Sequence, residues 1–351
     1  MTDKRWSAKP PDGDGSLDRA AAVAHGRPDP DTVAVTTEDP VLDRIGGTPV
    51  VPLDDPGVDG SIEIKCEFDN PTGSMKDRIA LGMIATLEAR GSLSTGDLVV
   101  EASSGNTAGA VALVANRLGY DAVITTPGGN SAQKLGYVEA LGAELVRCPD
   151  VGSDDDRYYR HEAQRIADER GGVWLDQYSN QLNPAVHARW TGPEITEQCP
   201  ALTHVVCPMG TGGTLSGIAT HVKQTNPSVT TVGVDAADSN ISSAFRGEAP
   251  GPYDTDVEGL GQHSAGPTMW FEYIDDVRDV SDETAFDETR RLASEHGLLV
   301  GPSSGAAVAV ARSIATQDPT ATVVTIACDG GEQYFDTVFA PDGGPDHGGE
   351  P

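Results

Sequence analysis

Lysine is scarce in this chain: Lys4, Lys9, Lys65, Lys76, Lys134 and Lys223 are the six among 351 residues. Where the surface hardly uses lysine, one placed in a Gly/Ser/Pro-rich loop asks for a reason. Long apolar runs are lacking too. No stretch of about 18 consecutive apolar residues reads as a membrane span, and the opening MTDKRWSAKPPDGDGSLDR has no apolar segment that could serve as a secretory signal. The expectation is a soluble, cytoplasmic protein with no membrane partner. Basic residues are outnumbered, 24 Lys plus Arg against 54 Asp plus Glu, giving a formal charge of −30. Such a chain repels nucleic acid, which is excluded as a partner. The acids are scattered instead of forming one tail, which predicts a solvated acidic surface of the kind suited to very high salt. The cysteines, Cys66, Cys148, Cys199, Cys207 and Cys328, are odd in number, far apart and without paired metal-ligand spacing. Reduced core thiols are expected. His161, His187, His204 and His263 share no ligand spacing either, so no metal is assigned.

The length suits two moderate cores. Residues 1–40 and 341–351 are rich in Asp, Pro and Gly without a sustained period, and both are expected to lack fixed structure. Between them, short β-branched runs at 98–100, 122–125, 144–147, 205–207, 231–234 and 322–327 read as buried strands. Helical patterns follow most of them, as at 77–90, 107–118, 157–170 and 282–296. No internal repeat is visible. The alternation predicts parallel sheets covered by helices, an α/β fold. In open sheets of this kind ligands sit at the carboxyl ends of strands, and four loops there stand out.

The first, NPTGSMKDR (70–78), follows a strand-like run at 62–67 and opens a helix. It can be read as a helix start, with Ser74 as N-cap and Asp77 completing a capping box. It also puts Lys76 in a first helical turn, where the helix dipole favours the neutral amine that Schiff-base chemistry needs. The second, EASSGNT (101–107), is either an ordinary turn in which Ser103, Ser104 or Asn106 caps a helix, or a cluster of N–H groups fit for a carboxylate. The third, GTGGTLSG (210–217), lets backbone amides wrap a phosphate, with the Thr211 and Thr214 hydroxyls adding donors. It matches neither GxGxxG nor a Walker loop, having Leu215 and Ile218 where glycine and lysine would stand, so a non-nucleotide phosphate or a plain glycine turn remains. The fourth, GPSSG (301–305), is explained in isolation by a serine-capped turn.

Taken in order, these loops resemble the β-family (fold type II) of pyridoxal-phosphate enzymes: cysteine synthase and the core of cystathionine β-synthase. IGGTPVV (45–51) resembles the family's opening motif, and the likeness spans about residues 43–338. The resemblance implies a two-lobed α/β fold related to tryptophan synthase β. Residues 41–75 plus 186–340 would form the large cofactor-binding domain, and 76–185 the smaller domain with the substrate loop. It implies pyridoxal phosphate on Lys76 as a Schiff base, with Lys76 then acting as the base for the α-proton. Asn106 would bond the ring oxygen. Ser103, Ser104, Gly105, Thr107 and Gln177 (in DQYSNQLNP) would hold the substrate carboxylate. Gly210, Thr211, Gly212, Gly213 and Thr214 would bind the phosphate, and Ser303 would face the pyridine nitrogen. A neutral hydroxyl leaves that nitrogen unprotonated and favours elimination of a β-leaving group. A homodimer fits the family.

The implied activity is β-replacement on an activated serine, O-acetylserine or O-phosphoserine, with sulfide to give L-cysteine. The stretch 146–170, DVSDETAF (279–286) and LLVGPSSG (298–305) lie closer to cystathionine β-synthase cores, which use serine and homocysteine. That activity is the alternative; a catalytically silent binding protein is the rival of a different class. Three departures stand out. Gly259-Leu260-Gly261 is followed by Gln262, His263, Ser264, Ala265 and Gly266 where the family usually has an apolar Phe followed by Ile or Val and Pro, which leaves the second substrate open. Gln133 replaces a common Glu, and Asp336 a common Ser.

Overall fold

The structure, a computed structural model, describes residues 26–129 and 132–340. The sequence-based expectations for 1–25, for 341–351 and for the side chain of Gln133 fall outside the described residues. In chain order, the elements begin with β1 (Val50–Pro52), β2 (Ser61–Cys66), α1 (Lys76–Ala89), β3 (Leu98–Ala102), α2 (Asn106–Leu118) and β4 (Asp121–Pro127). Next come α3 (Ala132–Ala140), β5 (Glu144–Cys148), α4 (Tyr159–Arg170), β6 (Val173–Trp174), α5 (Leu182–Arg189) and α6 (Thr191–Gln198). They continue with β7 (His204–Pro208), α7 (Gly213–Thr225), β8 (Thr230–Ala236), α8 (Ile241–Arg246), β9 (Asp276–Val280), α9 (Asp282–His296), α10 (Pro302–Gln317) and β10 (Thr322–Ala327). The α/β class read from the alternating pattern is the class observed. β1, β6 and β9 were not anticipated: β6 has two residues, and β9 carries Asp and Arg at alternate positions, so neither shows a β-branched run.

The chain divides into two compact units, Met1–Gly47 with Asn70–Thr191, and Thr48–Asp69 with Gly192–Pro351. The first holds a four-stranded parallel sheet in the order β5-β4-β3-β6. Residues of β3 alternate as a half-polar strand would not, because both faces are covered: Val99 joins a core with α1 and α2, while Leu98, Val100 and Ala102 join another with Ala163, Ile166 and Ala167 of α4. The second unit holds a six-stranded sheet, β1-β2-β10-β7-β8-β9, parallel except for the antiparallel β1–β2 pair. Its apolar core runs through β2, β8, β10 and α10.

These boundaries differ from the division expected at 75/76 and 185/186. Asn70 Oδ1 accepts the Gly46 N–H at 2.9 Å, and the Arg78 guanidinium lies 5.1 Å from the centre of the Trp190 ring. α5 approaches α1 so closely that a Cβ on Gly82 would sit 2.3 Å from Val186 Cγ2. Packing on α1 thus draws 70–75 and 186–191 into the first unit. The expectation that residues 1–40 lack fixed structure also fails over their described part. Val33, Ala34 and Val35 are buried against the α1 core, Ala34 N–H donates to Thr86 Oγ1 at 3.0 Å, and Arg117 pairs with Asp39 at 2.7 Å. Three apolar residues in a polar segment suffice to pin it, because they meet an apolar helix face.

All five cysteines are free and buried. Burial pushes the Cys66 thiol up to about 12, leaving it unreactive. No helix among the described residues is long and apolar enough to cross a membrane.

Candidate active site

In the first unit, Lys76 is the opening residue of α1, half-buried, with Met75 at the cap position. The expected capping box is not formed. Ser74 Oγ does accept an N–H of the first turn, that of Lys76 at 3.2 Å, but Asp77 turns back onto the preceding loop. It accepts the Thr72 N–H at 2.8 Å and the Thr72 hydroxyl. The carboxylate closes the 72–77 turn, and Gly73 at φ +81° permits the reversal. Lys76 is therefore displayed from a loop braced on both sides, with Asn70, Ser74, Asp77 and Arg78 all buried.

β3 delivers the second loop. Ser103 N–H donates to Thr125 O at 3.0 Å, Ser103 Oγ accepts the Gly105 N–H at 3.2 Å, and α2 begins at Asn106. No side chain caps α2 in the way expected of Ser103, Ser104 or Asn106; the cap position is Gly105, because Ser103 spends its hydroxyl on the turn itself. A helix start leaves its first N–H groups without intrahelical partners. Thr107 Oγ1 donates to Gln177 Oε1 at 2.8 Å, so the sequence-predicted carboxylate residues of both segments meet. Gln177 is fixed from behind: Asn183 Nδ2 donates to its carbonyl at 2.7 Å. The turn carrying Gln177 starts at Asp176, the one non-glycine with positive φ (44°) among the described residues.

Sequence reading passed over the buried Glu101 at the end of β3 and its neighbours Asp176 and Arg160. The signal was present as a lone acid in the run LVVEA. Burial, and secondarily Asp176, raise the Glu101 carboxyl to about 8; the Ala102 and Gln177 amides and Arg160 act in the opposite sense. Asp176 itself pairs with Arg160 at 3.2 Å.

In the second unit, the third loop joins β7 to α7. Gly212, at φ +77°, is the cap position and Gly213 the first residue of α7. A Cβ on Gly212 would lie 2.3 Å from Met269 Cγ, and one on Gly210 2.5 Å from the Gly259 carbonyl. Only glycine fits at either place. Thr268 Oγ1 holds Thr211 O at 2.7 Å, and Gly261 N–H holds Met209 O at 2.9 Å. Thr214 is buried in the first turn. The loop is thus a fixed, glycine-lined turn at a helix start, which is the form an anion requires.

Ser303 is buried in the first turn of α10, whose cap position is Gly301, not a serine as isolated reading had it. The hydroxyl that bonds locally is Ser304, accepting Cys328 N–H at 2.9 Å. A Cβ built on Gly259 would lie 3.8 Å from Ser303 Oγ, and the Gly259 carbonyl abuts Gly210. Gly259 is therefore the shared neighbour of the glycine loop and Ser303. In the departing segment after it, His263 packs against Tyr253 with ring centres 4.1 Å apart and the planes inclined at 42°. Among the described residues no group of three or more His, Cys, Asp or Glu is placed to hold a metal ion.

Residues 41–329 match the family model described as pyridoxal-phosphate dependent enzyme. The chain belongs to that family, and its cofactor is pyridoxal phosphate. Within the family it is an enzyme of the cysteine synthase kind. It is 38% identical over 306 residues to cysteine synthase of Staphylococcus aureus, covering 85% of this chain and 96% of that one. It is 36% identical over 296 residues to cysteine synthase B of Escherichia coli, covering 84% and 93%. Among solved structures, O-ureido-L-serine synthase matches with a TM-score of 0.80 at 34% identity, over 87% of this chain and 96% of that one. The residues present fit the cofactor: a glycine loop that excludes any Cβ, a buried neutral hydroxyl beside the same Gly259, and an amine on a braced loop.

Proposed function

We propose that this enzyme exchanges the β-leaving group of an activated serine, O-acetylserine or O-phosphoserine, for sulfide, giving L-cysteine. Bound pyridoxal phosphate supplies the electron sink that makes the amino-acid α-proton acidic. Lys76 would hold the cofactor through Nζ and would serve as the base that takes the α-proton, returning it to Cα after sulfide has added. The turn of Ser103, Ser104 and Gly105, its Gly105 N–H held by Ser103 Oγ, and the linked Thr107 and Gln177 would surround the substrate carboxylate and so orient the Cα–H bond. Asn106 bonds the ring oxygen. Gly210, Thr211, Gly212, Gly213 and Thr214 hold the phosphate. Ser303 donates a neutral hydrogen bond to the ring nitrogen. Acetate or phosphate departs with the C–O electron pair, and sulfide forms the new C–S bond while giving up a proton. The chain works as a homodimer.

The observation that carries this reading is the Gly259 backing shared by the glycine loop and Ser303. It allows one small ligand to present a phosphate to the first and a ring nitrogen to the second, with a neutral partner that favours elimination. A second reading is suggested by the likeness to O-ureido-L-serine synthase. The same donor would then take a hydroxyurea oxygen in place of sulfide, the acceptor that the product's name implies, and the polar Gln262 and His263 suit a polar acceptor. Cystathionine formation from serine and homocysteine is the third possible outcome.

The test offers purified holoenzyme O-acetylserine, O-phosphoserine or serine, each with sulfide, hydroxyurea or homocysteine, and identifies products by mass. Cysteine as the main product is expected. A preference for hydroxyurea or homocysteine would transfer the assignment to that acceptor, and no product from any pair would make the chain a binding protein. Borohydride reduction should leave the cofactor's mass on Lys76; an adduct elsewhere would remove Lys76 from its role.

A further inference from the structure

Glu101 is wholly buried at the carboxyl end of β3, two residues before Ser103. Its Oε1 accepts the N–H of Ala102 at 2.9 Å. Its Oε2 has no hydrogen-bond partner in ordinary geometry, although the Gln177 amide lies near enough to favour the charged form. The carboxyl thus lies between the two segments that Thr107 and Gln177 join. An acid with an unsatisfied buried oxygen carries a large desolvation penalty when ionised.

The charged surroundings do not remove that penalty. Asp176, from the loop after β6, adds negative charge, and Arg160, in the first turn of α4, is engaged by Asp176 at 3.2 Å. Other charges of α4 pair away from Glu101, Glu162 and Glu169 with Arg165 and Arg170 with Glu144. Tyr159 of α4 stays un-ionised, its phenol raised by burial. The one charged residue of α2 is Arg117, in the last turn and bound to Asp39. On β4, Ile124 faces Glu101 across the ladder and the charged Asp121 is at the far end, opposite Leu98. β6 carries no charge. Were Glu101 ionised, two buried carboxylates would share one arginine beneath a loop that must accept a third.

We propose that Glu101 is a positioning residue for the amino-acid substrate: it sets the Ala102 amide and the Gln177 turn as an uncharged acid, so that the substrate carboxylate meets no buried negative charge. This rests on the reading of 103–107 and Gln177 as the carboxylate site. Burial raises Glu101 above its ordinary range, to about 8, so the proton is present at neutral pH and lost as pH rises through that value. Substrate binding weakens over the same interval. The fold is strained likewise: an acid holding its proton more tightly when folded costs stability as pH climbs from the ordinary Glu value to about 8.

The experiment uses holoenzyme and L-alanine, which has no β-leaving group, and follows its dissociation constant by the absorbance change of the bound cofactor between pH 6.5 and 9.0. Titration of the ligand amine and of Lys76 is common to wild type and Glu101→Gln, so it cancels in the ratio of their constants. That ratio should rise about tenfold over the interval, as the neutral fraction of wild type falls. A ratio that stays flat, even with an altered melting temperature, would mean a merely structural role and overturn the proposal. In Glu101→Ala, KM for the turned-over donor should rise more than kcat falls; equal KM with lower kcat would also overturn it. If L-alanine bound neither protein, the proposal would fall together with the carboxylate assignment. Failure of the cysteine synthase reading would show differently, as missing β-replacement product from wild type while the L-alanine ratio still rose.

Discussion

Thr107 Oγ1 and Gln177 Oε1 are hydrogen-bonded at 2.8 Å, tying the first turn of α2 to the loop after β6 across seventy residues of sequence. Both side chains are buried.

Removing the donor without changing the shape tests that bond. Thr107→Val should raise KM for the amino-acid donor about tenfold, the loss of roughly 1 to 1.5 kcal/mol of hydrogen bonding, with kcat within threefold. Steady-state kinetics at saturating acceptor check it. Equal losses in kcat and kcat/KM would instead place Thr107 in a transition-state contact.

The glycine loop tolerates no side chain at Gly212. Gly212→Ala both forces a residue to φ +77° and drives a Cβ toward Met269 Cγ at 2.3 Å. The affinity for added pyridoxal phosphate should fall at least about tenfold, the equivalent of roughly 1.4 kcal/mol. Adding Met269→Ala should restore only part, since it relieves the collision and not the dihedral. Titration of apoprotein with the cofactor, followed by its absorbance, reads both effects.

Lys65 is wholly buried, with Nζ at 2.7 Å from Glu194, 2.6 Å from the Thr48 carbonyl and 2.9 Å from Gln198 Oε1. Lys65→Met takes the ammonium away from Glu194, whose side chain is mostly covered, and should cost about 2 to 4 kcal/mol. Thermal unfolding should shift down by about 3 to 5 °C. Replacing both, Lys65→Met with Glu194→Leu, should recover most of the loss, because the cost lies in a covered carboxylate that has lost its ammonium.

Much of the candidate site could be proposed from sequence because its segments are contiguous. GTGGTLSG reads as an anion loop from glycines alone, and the structure supplies the reason: Gly210 and Gly212 are hemmed in by Gly259 and Met269. The side-chain caps offered as plain readings of three loops did not form as expected, since hydroxyls and carboxylates have several nearby donors to choose from. Asp77 chose Thr72 over its own helix, Ser103 the turn, and Ser304 the strand end at Cys328. Glu101 escaped notice because its role comes from partners far along the chain.

The sequence alone determined the α/β class, through local periodicity, and the cofactor family, through resemblance carried by motifs whose members are neighbours in the chain. Tertiary structure decided where the units divide, that 33–35 are core, which glycines are obligatory, and that Glu101 lies buried beside Asp176. Those depend on distances between segments remote in sequence, and a buried charge has its energy set by surroundings that no local pattern records.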